Sequence, residues 1–183
     1  MAERERGRIF TVGHSTRSLE ELVELLESAG VQAVADVRAS PGSRRHPHWG
    51  AAAMAESLPP TGIRYVHLRE LGGRRKPIAR SVNAGWRETA FQGYADYMAS
   101  PDFDRAIGQL EDLARHHSTS IMCAEALWWR CHRRLIADAL TVRGWRVEHL
   151  GVASEPRLHE LPPFAVVKDG GLSYPPQQRS LFS

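Results

Sequence analysis

Six side chains able to move protons, attack electrophiles or hold metals stand at or near the ends of apolar runs: His14, Asp36, Cys123, Glu125, Cys131 and His132. The carboxylates Asp36 and Glu125 offer the acid and base that hydrolysis of a glycosidic bond requires, with His14 as a further proton carrier. Asp36 ends an otherwise apolar segment, and reads either as a carboxylate at the mouth of a site or as a structural ion pair with Arg38 or His14. Glu125 reads as the general acid or base, since two acids at one edge can hold different protonation states. Cys123 is a candidate thiol nucleophile, or a small buried structural residue. A phosphatase-type loop is disfavoured, because it needs its cysteine and arginine one residue closer together than Cys123 and Arg130.

Zinc accepts Cys123, Cys131, His132 and His14 as ligand types. Cys131 and His132, however, are adjacent on a predicted helix and would point about 100° apart. No metal and no cofactor is therefore expected.

These residues need elements to position them. "RIFTVG" (8–13) reads as a buried strand, and "SLEELVELLESAG" as a helix with Ser18 as N-cap and Glu21 completing a capping box. Further strands are read at 31–38, 63–68, 119–125 and "WRVEHLG", with helices at "WRETAFQGYADYMAS", "PDFDRAIGQLEDLARHH" and "RCHRRLIADALTVRG". Strand and helix in alternation predict an α/β domain, a three-layer sandwich with a largely parallel central sheet of about five strands. In such sheets ligands bind at the C-terminal strand ends. That rule gathers His14 and Ser15, Asp36 and Arg38, and Cys123 and Glu125 at one edge. The long loop "RELGGRRKPIARSVNAGW" is a candidate functional segment.

Two loops mix arginine with tryptophan: Arg44, Arg45 and Trp49 in one, Trp128, Trp129 and Arg130 in the other, with Arg133 and Arg134 following. Exposed aromatics among arginines suit base stacking and phosphate contact, the alternative for the arginines being a solvated helix face. The basic residues include just two lysines, Lys76 and Lys168, among 24. That bias fits an anionic partner, or a genome favouring arginine codons.

The segments "TVGHSTRSLEEL", "ADVRASPGSRRHPHW", "IRYVHLRELGGRR", "GWRETAFQGYADYM" and "MCAEALWWRCHRRLIADAL" resemble, in order from about residue 9 to 150, the bacterial and archaeal family called domain of unknown function 488. The resemblance implies a three-layer α/β fold and a site built from Gly13 to Ser15, Asp36 to Arg38 and Cys123 to Glu125. It also points to Cys131, His132 and Arg133. It supplies no reaction.

With 183 residues, 42% hydrophobic and 25% charged, the chain fits one domain over 1–151, a Pro-rich extension over 152–176 holding a small hairpin, and a tail over 177–183. No apolar run is long enough for a membrane span and the N-terminus lacks a signal-peptide core, so the expected location is cytoplasmic, with two reduced cysteines. The tail "QRSLF" resembles the bacterial sliding-clamp-binding peptide, with Leu181 and Phe182 as apolar anchors and Gln178 as a polar contact. Clamp, arginines and paired carboxylates together lead to one expectation. The chain would process DNA as a glycosylase-type base-excision enzyme, with Trp128 or Trp129 stacked on a flipped base. The alternatives are a non-catalytic DNA- or clamp-binding module and a thiol- or metal-dependent small-molecule enzyme.

Overall fold

The computed structural model describes residues 6–42 and 44–177. The proposed clamp-binding residues Gln178, Leu181 and Phe182 lie outside them. Strand β1 (Arg8–Gly13) is buried from Ile9 onward and alternates its side chains between two cores, Ile9 facing one and Phe10 and Val12 the other. Helix α1 (Leu19–Ser28) starts where its sequence dictates, with Ser18 and Glu21 forming both bonds of the capping box. Strand β2 (Ala33–Asp36), helix α2 (Ala51–Ser57) and strand β3 (Arg64–His67) follow. Helix α3 (Thr89–Tyr97) precedes α4 (Pro101–His116). The latter is capped by Ser100, with Asp102 and Asp104 in its first turn and Arg115 and His116 in its last, charges that match the helix dipole.

Strand β4 (Thr119–Cys123), helix α5 (Arg133–Val142) and strand β5 (Arg146–His149) complete the parallel part of the sheet. A sixth strand, β6 (Arg157–Leu158), was not foreseen. It lies antiparallel on β5, giving the order β3-β2-β4-β1-β5-β6. The hairpin expected in the extension is present as β7 (Val166–Lys168) and β8 (Gly171–Ser173), turning through Asp169 and Gly170.

Three layers result. Leu22 and Leu26 of α1 and Met54 of α2 cover one sheet face, while Tyr94, Phe103, Ile107, Leu110, Leu135 and Ile136 of α3 to α5 cover the other. The extension belongs to this body, because His159 and Tyr174 are both buried in it.

The connections diverge at the sheet centre. From β1 the chain passes through α1 to β2 on one side, whereas from β4 it passes through α5 to β5 on the other side of β1. Such a switch point opens a crevice at the C-terminal ends of the two central strands. Here those ends are Gly13 and Cys123, paired in register.

Candidate functional site

Backbone pairing continues past β1 and β4: His14 N–H donates to the Cys123 carbonyl (3.0 Å) and Ser15 N–H to that of Ala124 (2.9 Å). The approach is so close that a Cβ on Gly13 would stand 1.9 Å from the Glu125 carbonyl oxygen. Glycine is therefore the one residue that fits there. Above this junction opens a cavity of about 830 Å³, lined among others by His14, Arg38, Cys123, Glu125, Cys131 and His132. The strand-end rule thus brings together five of its six residues, His14, Ser15, Arg38, Cys123 and Glu125, and the long loop after β3 contributes Gly73 and Arg74 to the wall.

Asp36 does not reach that cavity. It is fully buried, and both its oxygens are engaged: the Arg38 side chain donates to Oδ1 (2.9 Å) and Oδ2 (2.6 Å), the Arg38 backbone N–H donates to Oδ1 (3.1 Å), and the Tyr65 hydroxyl donates to Oδ2 (2.7 Å). Its expected role as a catalytic carboxylate gives way to a structural one, because a carboxylate with every direction occupied has no lone pair left for a substrate. Burial and the bond to Asp36 push the Tyr65 phenol up. Arg38 in turn donates to His14 Nε2 (3.2 Å), so the His14 Nδ1–H is left to donate to the Ser15 carbonyl. Burial, and then the neighbouring guanidinium of Arg38, lower His14 to about 4. His14 is neutral at physiological pH and stacks on Trp49 at 4.2 Å.

Several residues expected to form a nucleic-acid surface sit elsewhere. Trp49 is 3% exposed and packs in the α1–α2 core. Trp128 is half-buried and stacks flat on His149, with centroids 4.0 Å apart, so one of its faces is already occupied. Trp129 is exposed. Arg133 is 1% exposed, its guanidinium donating to the Glu125 carbonyl and to Cys131 Sγ, so burial removes it from any phosphate. Arg44 and Arg45 are exposed, outside the cavity wall. Arg130 is exposed on that wall, as is Glu125, whose carboxylate accepts from Leu127 N–H (3.3 Å).

The largest difference concerns Cys131 and His132. Helix α5 begins at Arg133, preceded by a single tight turn over Trp128–Arg130, and Cys131 has extended backbone (φ −125°, ψ 149°). The two side chains therefore do not diverge as helical neighbours. His132 Nδ1 lies 3.7 Å from Cys131 Sγ, and the ligand atoms of Cys123, Cys131 and His132 all fall within 4.8 Å of one another. His132 Nε2 meets the Val37 carbonyl at 2.9 Å; a carbonyl only accepts, so Nε2 carries the hydrogen and Nδ1 presents its lone pair to the sulfurs. Gly73 leaves room at that nitrogen, since a Cβ there would come within 2.9 Å of it. The Cys123 thiol, followed by His132 and Arg133, holds Cys131 below the ordinary thiol range against the effect of burial. Cys123 is raised by its bond to the Cys131 sulfur and by burial. Adjacent Cys and His were the available signal; periodicity alone placed the helix start too early to use it.

An open, mostly parallel α/β domain with a thiol- and imidazole-lined cavity at its switch point is the class that fold and site define. The chain belongs to the family described as Domain of unknown function DUF488, whose model matches residues 18–140. No curated protein and no solved structure matches the chain. Among the described residues no helix is long and apolar enough to cross a membrane.

Proposed function

We propose that the chain is a metal-dependent enzyme of small molecules, with Cys123, Cys131 and His132 as ligands and the remaining coordination position turned to the cavity. The observation that carries this reading is the mutual approach of three ligand atoms within 4.8 Å on the wall of an 830 Å³ cavity. Two thiolates and one imidazole form a set that zinc uses at catalytic sites, where three protein ligands leave one position for water or substrate. The 3.7 Å between Cys131 Sγ and His132 Nδ1 suits two ligands of one tetrahedral ion, given metal–ligand distances of about 2.0–2.3 Å. The Val37 carbonyl on His132 Nε2 supplies the outer partner that orients a ligating imidazole. Zinc bound there would polarise an oxygen of the substrate or acidify a water. Glu125, exposed on the same wall, is the carboxylate placed to accept or return a proton.

Base excision draws less support. Asp36 is enclosed, and Trp49 and Trp128 already stack on histidines. The resemblance of the tail to a clamp-binding peptide rests on its sequence alone and is independent of the cavity.

Cobalt provides the test. Reduced protein should take up one cobalt per chain, with a sulfur-to-metal charge-transfer band that Cys131→Ser and His132→Ala each abolish. Turnover of small esters or phosphoesters by the zinc-loaded protein should disappear in the same variants. A reduced, folded protein that binds no cobalt, or binds it equally well in both variants, overturns the assignment.

A further inference from the structure

The cavity wall also carries cationic charge that no neighbour neutralises. Arg74 and Arg130 both line it and both are exposed, and neither makes a side-chain hydrogen bond or ion pair among the described residues. Arg38 adds no net charge, because Asp36 neutralises it. Against the two unpaired guanidinium groups stands one carboxylate on the described wall, Glu125. A smaller cavity of about 360 Å³ adjoins the first, shares Ala39, Ser40, Gly73 and Arg74 with it, and adds Arg69, Glu70 and Arg75, three arginines against one carboxylate.

Arg74 is not on a casual loop. Its φ is +64°, a conformation that costs a non-glycine residue energy and persists only where its surroundings enforce it. The enforcement is visible on both sides. A Cβ on Gly72 would come within 2.6 Å of Ala39, and one on Gly93 of α3 would come within 2.3 Å of the Arg75 carbonyl oxygen. The loop is thus wedged between the segment after β2 and helix α3. Ser15, which also lines the cavity, is likewise held at positive φ (+47°). Trp49 and Phe91 supply apolar wall.

We infer that the cavity takes a small molecule bearing a phosphate or carboxylate, its anionic end held by Arg74 and Arg130 and its other end reaching the Cys123, Cys131 and His132 cluster. This inference rests on reading the cavity as the active site. Planar guanidinium forks match the oxygen geometry of both anions, and partly desolvated charge-assisted bonds are the strong ones. A long polyanion is the less suitable occupant, because the aromatic rings on this wall are packed rather than offered for stacking.

The test uses the full chain loaded with cobalt and three probes: phenyl phosphate, benzoate and neutral benzamide. Calorimetry should show at least one of the two anions binding, and benzamide binding about ten-fold more weakly or worse. Arg74→Ala and Arg130→Ala should each weaken the anion about ten-fold, leaving the cobalt spectrum and melting temperature unchanged. Equal binding of anion and benzamide, or unchanged affinity in both variants, overturns the inference. So does a duplex oligonucleotide that binds through the same arginines while both small anions do not. Anions that bind to a chain unable to take cobalt would remove the metal and leave the anion site standing. A normal cobalt spectrum with no anion binding would do the reverse.

Discussion

Cys131 and His132 are neighbours in sequence whose cooperation depends on one backbone fact, that Cys131, directly after Trp128–Arg130, is extended. Gly73 protects the geometry from outside. A methyl group there meets His132 Nδ1 at 2.9 Å, so Gly73→Ala should displace the ring and weaken cobalt or zinc affinity by about 10- to 100-fold, as loss of an orienting contact does. Competition with a chromophoric chelator measures it, and unchanged affinity would show that the imidazole is not a ligand. Asp36 invites the opposite experiment. Asp36→Asn leaves the buried Arg38 without its counter-charge and should cost about 3–5 kcal/mol of stability in urea while leaving metal uptake intact. Loss of metal with full stability would return Asp36 to the chemistry. His14, Cys123 and Glu125 were legible because strand ends can be read from apolar runs and turn signals. Trp49 was misjudged because its stacking on His14 joins residues 35 positions apart, which local pattern does not report.

At the scale of elements, α1 and α4 announce their starts with Ser18 and Ser100, and the structure begins them there. Helix α5 carries no such signal: its N-cap is His132, whose ring is occupied by Val37 and makes no cap bond. Apolar periodicity fits a start at Arg130 as well as one at Arg133, and that ambiguity hid the metal-ligand set. Strand β6 was missed for a related reason, since a two-residue antiparallel edge has no period to detect. What holds this edge is a buried series: Thr11 Oγ1 to His149 Nδ1 (2.7 Å), His149 Nε2 to His159 Nδ1 (2.9 Å), His159 Nε2 to Asp138 (2.6 Å), and the Tyr174 hydroxyl to Asp138 (2.6 Å). Tyr174→Phe removes one donor from the Asp138 carboxylate and should cost about 1.5–3 kcal/mol, read as a shift of the denaturation midpoint. Burial, then His159, Arg133 and Arg157, lower His149 to about 2, with Trp128 covering its face. Its folded value lies below the unfolded 6.5, so the unfolded chain takes the proton first. The contribution is intact above pH 6.5 and is lost as pH falls, by up to about 1.4 kcal/mol per pH unit, with His14 adding a smaller loss of the same sign. Urea midpoints at pH 7.5, 6 and 5 test this, and a flat profile contradicts it.

Across the whole molecule, the boundary read at residue 151 from the proline content separates segments that the fold joins. Asp138 lies in α5, and its partners His159 and Tyr174 lie in the extension, while Trp86 from the long loop packs on Tyr174 and Phe164. A chain ending at residue 151 would leave that carboxylate buried or solvated in a broken core. It should show no cooperative thermal transition. A stable 1–151 fragment would contradict the account. The composition change was real, but proline reports where regular elements stop, not where packing stops. The joined series of Thr11, His149, His159, Asp138 and Tyr174 also gives this protein a spectroscopic signature. Hydrogens held in short bonds, with the His159 ring fully shielded from water, exchange slowly and resonate far downfield of ordinary amides. Those few lines in a one-dimensional proton spectrum would vanish when the extension undocks, well before circular dichroism registered any loss of helix.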